Sequence, residues 1–445
     1  MTVNRRNFLL GASAAAVAAP GVAGLFLGQE GVEIDALRQD SLWTSELPAI
    51  PAQPTYTGAR EVDVAIVGGG YTGLSCAYYL KKFRPDWSVV ILESHKIGSG
   101  ASSRNSGAVY ARHVGIDDQA MAQRGLDRLL AFIDSQGIDC DLTQASTLTV
   151  LKSQGDADAA RASMKDGEKW VSKEELSEKG GTSYYAGAVE TPDYLKIQPA
   201  KLVAGQAKAA LGSGVEIFEA SPVTDIRSGK PACLTTPKGT ITARNVLIAT
   251  NAYTPRLGVL EDKMYPIHQY SFATRKLTTE EINGLGLDRW NLRFEPRTLP
   301  VTFSLTPSGH FFVRFVLGYA SQNSGEWQDI EGARALAKKL FLQRYPSLAN
   351  VEFEKSWHGV TGHTTLMKPI AGPISDEANI HVSAAYNGLG IMPSHNFGYL
   401  TACRITGTDD QDLAFLSGVT GQIHMPGDFY RSLILKPFMN LMTPV

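Results

Sequence analysis

Cysteine is scarce in this chain: four in 445 residues, at Cys76, Cys140, Cys233 and Cys403. They lie far apart with no C-x-x-C spacing, which argues against a disulfide framework or a zinc site and leaves buried, inert thiols. An excess of one charge is missing too. Against 42 Lys and Arg stand 44 Asp and Glu, a net of −2, so no overall field draws in nucleic acid or an acidic membrane. Small-molecule partners are expected instead. Beyond the N-terminus, no run approaches the roughly 18 apolar residues that a membrane span requires. What the composition does supply, 43% hydrophobic residues over this length, suffices for a large core and two or three domains.

The N-terminus carries an address. Asn4-Arg5-Arg6-Asn7-Phe8-Leu9-Leu10 precedes the small-residue apolar run GASAAAVAAPGVAGLFLG, so residues 1–30 look like a twin-arginine export signal. A partner in the twin-arginine export machinery and a periplasmic or other extracytoplasmic location are expected, with a membrane anchor if the signal is retained. Residues 31–60, with Pro48, Pro51 and Pro54 and little periodicity, read as an extended leader over the domain surface.

The fold proper is expected near Glu61. Val62, Val64 and Ile66 alternate with Asp63, Ala65 and Val67 in a nearly continuous apolar strand of the kind buried in a parallel sheet, and Thr72 to Phe83 follows helical spacing. Between them, Gly68, Gly70 and Gly73 satisfy G-x-G-x-x-G. Gly68 permits the tight turn, Gly70 lets the backbone approach a pyrophosphate, and Gly73 lets the helix that opens at Tyr71 and Thr72 pack on its strand. The helix N–H groups then face the phosphates. A second apolar strand, Ser88 to Leu92, ends at Glu93 and Ser94, placing an acid 20 residues past Gly73 where it can accept from a ribose diol. A dinucleotide follows, with NAD and FAD still open. The loop GSGASSRNSGAVY (98–110) decides for FAD: Gly100, Ala101, Ser102, Arg104, Asn105, Ser106 and Gly107 bring backbone and side-chain donors where an NAD domain would continue with another helix.

That loop resembles the GASGRNGGQ-type loop of the D-amino-acid-oxidase-like (DAO) FAD oxidoreductases, in particular the gamma-glutamylputrescine oxidase branch. Pro199-Ala200-Lys201-Leu202 resembles the family's helix start. Val223, in EASPVTDIRSG, falls on the strand where the family holds adenine through its backbone. Thr250 and Asn251, in ATNAYTPRLG (249–258), match the segment where the FAD domain gives way to the substrate domain. WHGVTGHTTLMKPIAGPI (357–374), with Trp357, and AAYNGLGIMPSHNFG (384–398), with Gly388, Leu389 and Gly390, look like the stretches that close over the isoalloxazine. There are departures. Ser106 stands where the family usually has Gly, Leu366 where many members have Asp, and LGIMPSHN lacks the usual apolar helix start. No Cys lies in 357–374, so non-covalent FAD is expected.

The resemblance implies an α/β fold: a discontinuous Rossmann-like FAD-binding domain (61–150, 196–255 and 355–430), a β-rich α+β substrate domain (151–195 and 256–354), and a tail at 431–445. Periodicity independently gives β-rich segments at Tyr265 to Thr274 and His310 to Leu317, and a capped helix in KLTTEEINGLGLD. The implied chemistry is oxidation of a C–N bond of an amine or amino acid (a polyamine conjugate, a secondary amine or an amino acid). Hydride passes to flavin N5, water hydrolyses the imine, and oxygen or another acceptor takes the electrons. Period two puts His310, Phe312 and Arg314 on one face, and Arg314 is the candidate cation near flavin or substrate carboxylate, against an edge-strand arginine reaching solvent. His268 and Tyr270 share a face of the other strand and are pocket candidates, against core packing with one satisfied hydrogen bond. His358, His363 and His395 lie in the ring-facing motifs, where His363 is carried as a catalytic candidate and structural hydrogen bonding is the rival role. HGVTGH is not a metal-site pattern. Two other readings stay open: a 2-hydroxy-acid dehydrogenase on the same fold, and a catalytically decayed flavoprotein that serves as a binding partner.

Overall fold

The strand read from Val62 to Val67 sits at the centre of an eight-stranded sheet in the computed structural model, which describes residues 40–47, 51–296, 300–319, 330–375, 379–417 and 422–442. The export-signal region and residues 31–39 of the leader lie outside the described residues, all of which belong to the unit Asp35–Val445. The central strand begins at Gly58, before the expected Glu61, because Gly58 to Glu61 already pair with Gly239 to Thr242 although they are largely exposed. Val89–Leu92 and Gly239–Ile248 flank it in parallel, and Glu216–Phe218 and Ile380–Ala384 extend the sheet outward. Val62, Val64, Ala65, Ile66 and Val67 are all buried, as a strand covered on both faces demands. On one face lie the helices Tyr71–Phe83 and Ile391–Thr406. They approach closely because Gly398 has no side chain: a Cβ there would lie 2.6 Å from Thr72 O.

A nine-stranded sheet forms the second layer, in the order Phe353–His363, Tyr265–Lys276, His310–Tyr319, Val301–Leu305, Leu292–Glu295, Thr143–Leu151, Gly187–Lys196, Ala108–Val109, with Lys169–Ser172 paired to Gly187–Lys196. Both β-rich segments read from periodicity are here. The helix between them is Thr279–Gly284, closed by a capping box in which Thr278 and Glu281 satisfy each other's backbone N–H groups. The far face of this sheet packs Phe272, Phe303 and Phe311 against Phe341 and Tyr345 of the helix Ile330–Arg344. Arg344 is wholly buried and forks onto Glu295 at 2.8 and 3.0 Å, while Tyr185 donates to the same carboxylate at 3.0 Å.

Three boundaries differ from expectation. Thr143–Leu151 and Phe353–His363, which fall in the spans 61–150 and 355–430, pair in the second sheet. Each is an alternating strand whose partners lie far away in sequence, so nothing local marks the crossing. The leader is not wholly extended: Leu42–Ser45 is a short helix capped by Ser41, with Trp43 fully buried. The expected tail is a helix that starts earlier, Asp428–Met442, anchored where buried Arg431 donates to Glu261 O and Met264 O.

Candidate active site

The fingerprint turn is built as its glycines require. Gly68 has φ +109°, and a Cβ there would lie 2.8 Å from Ala249 O; a Cβ on Gly73 would lie 2.0 Å from Gly68 O. Gly70 caps the Tyr71–Phe83 helix without any side-chain acceptor, so the first turn presents its N–H groups, and among the described residues Ser102 Oγ alone receives one, from Tyr71 N at 3.1 Å. Glu93, at the end of the neighbouring strand, accepts from Gly69 N at 2.8 Å, His95 N at 2.9 Å and Ser94 Oγ at 3.2 Å. A carboxylate offers about four lone-pair sites, so one remains for a ribose hydroxyl. Burial pushes the Glu93 pKa up, and these hydrogen bonds pull against the shift.

From this turn a cleft runs between the two sheets. Its first-sheet wall contains Gly70, Tyr71, Thr72, Ala101, Ser102, Arg104, Asn105, Ser106, Asn251, Gly388, Leu389 and Gly390, all read from the sequence. The remaining cofactor candidates stand outside that wall. Gly68 and Gly73 shape the turn, and Thr250 bonds Thr254 Oγ1 at 3.0 Å. Gly107 needs φ +75°, and its N–H donates to Asn105 Oδ1 at 2.9 Å. Gly100 opens the short 3₁₀ turn Ala101–Ser103, and Val223 packs in the core with Leu92 and Tyr56. Trp357 is buried beneath the loop and donates to Arg104 O at 3.2 Å. The departures are accommodated: Ser106 is buried in the cleft wall, and Thr364 Oγ1 closes the turn that carries Leu366 by bonding Lys368 O and N.

The second sheet supplies the other wall, and here two catalytic candidates are corrected. Along Tyr265–Lys276 it is Gln269 and Ser271 that line the cleft, and period two therefore turns His268 and Tyr270 to the opposite face. There His268 Nε2 meets His358 Nδ1 at 2.6 Å and Tyr270 joins the helix-covered core. The choice between the two faces could not be made from a strand in which both carry polar groups. Arg314 does line the cleft. Its guanidinium donates to Thr302 Oγ1 at 3.0 Å, its Nε is buried without a hydrogen-bond partner, and no carboxylate pairs with it among the described residues. Tyr110 also lines the cleft and packs 5.4 Å from Tyr194, whose buried hydroxyl likewise has no partner. Phe294, Thr302, Val360 and Thr361 also line this wall. Sequence reading missed Tyr110 although it closes the quoted loop, and missed Gln269 and Ser271 although they alternate with the two residues chosen.

His363 stands just behind the wall, stacked on Tyr265, in a chain where Gln269 Nε2 donates to Thr361 Oγ1 at 2.8 Å and Thr361 Oγ1 bonds His363 Nε2 at 2.9 Å. Burial, helped by the Arg314 charge, pushes the His363 pKa down to about 4, so the ring is neutral at pH 7. His395 is buried within the helices, bonded to Gln206 Nε2 at 2.9 Å, away from the cleft. Burial raises the Tyr110 pKa to about 12 against the pull of Arg314, and lowers that of Arg314 itself, partly offset by Tyr110 and Tyr194.

The residues present fit FAD: a helix start with no side-chain cap, a ribose acid with a free acceptor site, and a long cleft with donors along one wall and, on the other, a cation that no carboxylate pairs among the described residues. The family described as FAD dependent oxidoreductase (DAO) matches residues 63–404, most of the chain. The probable oxidoreductase OrdL of Rhizobium meliloti is 28% identical over 81% of this chain and 87% of its own length. The gamma-glutamylputrescine oxidoreductase of Escherichia coli is 28% identical over 79% and 85%, and the glycine oxidase of Bacillus subtilis 26% over 75% and 91%. The crystal structure of glycine oxidase from Geobacillus kaustophilus shares the fold, with a TM-score of 0.68 at 24% identity over 82% of this chain and 99% of that one. The chain belongs to the DAO family of FAD-dependent oxidoreductases and is an FAD-dependent enzyme.

Proposed function

We propose that this enzyme oxidises the C–N bond of a small amine or amino acid that carries a carboxylate. The observation that carries the reading is Arg314, a guanidinium set in the cleft wall whose buried Nε has no partner, and beside which no carboxylate stands, among the described residues. A charge held this way calls for an anion, and a substrate carboxylate is the anion of the right size. The names of the relatives, glycine oxidase and gamma-glutamylputrescine oxidoreductase, support amines and amino acids as the substrate class.

FAD, held without a covalent link, supplies the two-electron acceptor when bound. The Tyr71 helix start would take its diphosphate, Glu93 its ribose, and the 101–106 loop and the 388–390 glycine turn its ring end. Arg314 would fix the substrate carboxylate, and Tyr110 and Phe294 would exclude water from the reacting carbon. The substrate ammonium would shed its proton to solvent, helped by the repulsion of Arg314. The carbon–nitrogen single bond becomes an imine as two electrons and a hydrogen leave the carbon, and water then yields carbonyl and free amine. The Gln269–Thr361–His363 chain holds a neutral imidazole behind this wall.

Anaerobic mixing with a panel of amines, amino acids and 2-hydroxy acids tests the reading. Bleaching of the flavin band by carboxylate-bearing amines is the expected result. Bleaching by 2-hydroxy acids alone selects the C–O reading, which Arg314 would serve equally well. Stoichiometric FAD that no member of the panel reduces favours a binding role. We also infer export of the folded, FAD-loaded protein by the twin-arginine route, on the Arg5-Arg6 signal; residues 1–40 fused to a folded reporter should carry it out of the cytoplasm, and Arg5→Lys with Arg6→Lys should retain it.

A further inference from the structure

Three successive carbonyls of the loop at the cleft's edge are held by side chains from remote parts of the chain. Ser41 Oγ donates to Ser103 O at 2.7 Å, Trp357 Nε1 to Arg104 O at 3.2 Å, and Trp43 Nε1 to Asn105 O at 2.8 Å. All three donors are buried, Trp43 and Trp357 completely. Trp43 is itself held from two sides: Gln198 Nε2 donates to its carbonyl at 2.9 Å, and its ring packs 6.0 Å from that of Phe312, which also contacts Trp357.

In a trans peptide the C=O and the N–H point in opposite directions. With Arg104 O and Asn105 O pinned by the two tryptophans, the N–H groups of the same two planes, those of Asn105 and Ser106, face the other side of the loop. Both residues form cleft wall there. Neither N–H donates a hydrogen bond among the described residues. Ser106 is buried and Asn105 half-buried, and peptide N–H groups withdrawn from water are nearly always satisfied, so this pair beside a cofactor cleft points to an acceptor on the ligand.

We propose that the segment Ser41–Leu47 is part of the cofactor site, a strap that aims the Asn105 and Ser106 amides at acceptor atoms of bound FAD. Trp43 is a positioning residue, acting through Asn105. The proposal rests on the assignment of FAD to the cleft and goes beyond it, because residues 41–47 lie outside the 63–404 span that matches the family.

Trp43→Phe keeps the packing ring and deletes the donor; Ser41→Ala deletes a hydroxyl. Apoprotein titrated with FAD should show each variant binding about threefold to tenfold more weakly, the worth of one hydrogen bond, and the pair more weakly still. The visible spectrum of the bound flavin should shift in both. Glu295→Gln, which weakens the buried pair with Arg344 on the helix-covered face of the second sheet, serves as the control for general destabilisation and should keep the wild-type spectrum. Variants with wild-type affinity and spectrum overturn the strap, as does a loss of affinity that Glu295→Gln reproduces at equal loss of Tm. Should Trp43→Phe fail to fold, Ser41→Ala decides alone by the same readouts. Wild-type protein that binds no FAD overturns the cofactor assignment itself, whereas wild type that binds FAD beside variants that bind it equally overturns the strap only.

Discussion

In the first sheet, the groups that would hold the cofactor come mostly from one unbroken strand–turn–helix unit and the loop after the next strand. The second sheet instead contributes side chains from several separate strands, with Gln269 and Ser271, Phe294, Thr302, Arg314 and Thr361 meeting only in the folded wall. The contrast teaches where a site can be read from. A phosphate turn is a local backbone shape, so its glycines recur at fixed spacing. A substrate wall is a surface assembled by strand pairing, and only the choice of face decides which of two alternating residues belongs to it.

The largest effect should come from the second sheet. Arg314→Met keeps the length of the side chain and removes the charge; kcat/KM for a carboxylate-bearing amine should fall about a thousandfold, roughly 4 kcal/mol of lost pairing to a desolvated charge. Steady-state kinetics on carboxylate and decarboxylated analogues measure it. Equal losses on both analogues would remove the carboxylate role and leave the two walls chemically alike.

Gly73→Ala probes the first sheet. Its Cβ would lie 2.0 Å from Gly68 O, a backbone atom that cannot rotate away. About 3 kcal/mol of overpacking, or more than a hundredfold in FAD affinity, is expected, read as flavin absorbance per mole of purified protein.

Glu295→Ala separates stability from binding. Leaving Arg344 buried and unpaired should cost about 3 kcal/mol and lower Tm by roughly 4 °C, while the flavin spectrum of the folded fraction stays unchanged. A changed spectrum would show that the two layers are coupled more tightly than their separate cores suggest.

Acid should weaken the fold in a defined window. Burial pushes the pKa of His113, His363 and His381 down to about 4, and of His268 and His395 down to about 3. Between those values and the ordinary 6.5 the unfolded chain binds protons that the folded chain refuses, so stability rises with pH through this window and levels off above it. Thermal melts between pH 4 and pH 8 should show it, with a drop of roughly 10 °C from pH 7 to pH 5. In kinetics, kcat/KM should instead follow the substrate amine. A limb near pH 7 that disappears in Lys196→Met would assign proton transfer to Lys196, a buried ammonium that desolvation pushes down to about 7.

The smallest effects sharpen the choice of face. His268→Asn and Tyr270→Phe should leave kcat/KM within about threefold, since both project away from the cleft, whereas Ser271→Leu on the same strand should obstruct substrate and raise KM tenfold or more. A large loss at His268 with a neutral result at Ser271 would reverse the assignment of the two faces.

By itself the sequence determined the strand–turn–helix that receives a diphosphate, the acid that follows it, the donor-rich loop that separates FAD from NAD, and the capped helix at Thr278. Each is a local signal, written in residues that fix backbone dihedrals or satisfy neighbouring N–H groups. Tertiary structure alone decided that Gln269 and Ser271 rather than His268 and Tyr270 face the cleft, that Thr143–Leu151 and Phe353–His363 cross into the second sheet, and that Trp43 reaches under the cofactor loop from 62 residues away in sequence. Those outcomes depend on which distant strand is the neighbour and which face it covers. The physical reason is that pairing free energy belongs to both partners at once, so no single stretch of chain contains it.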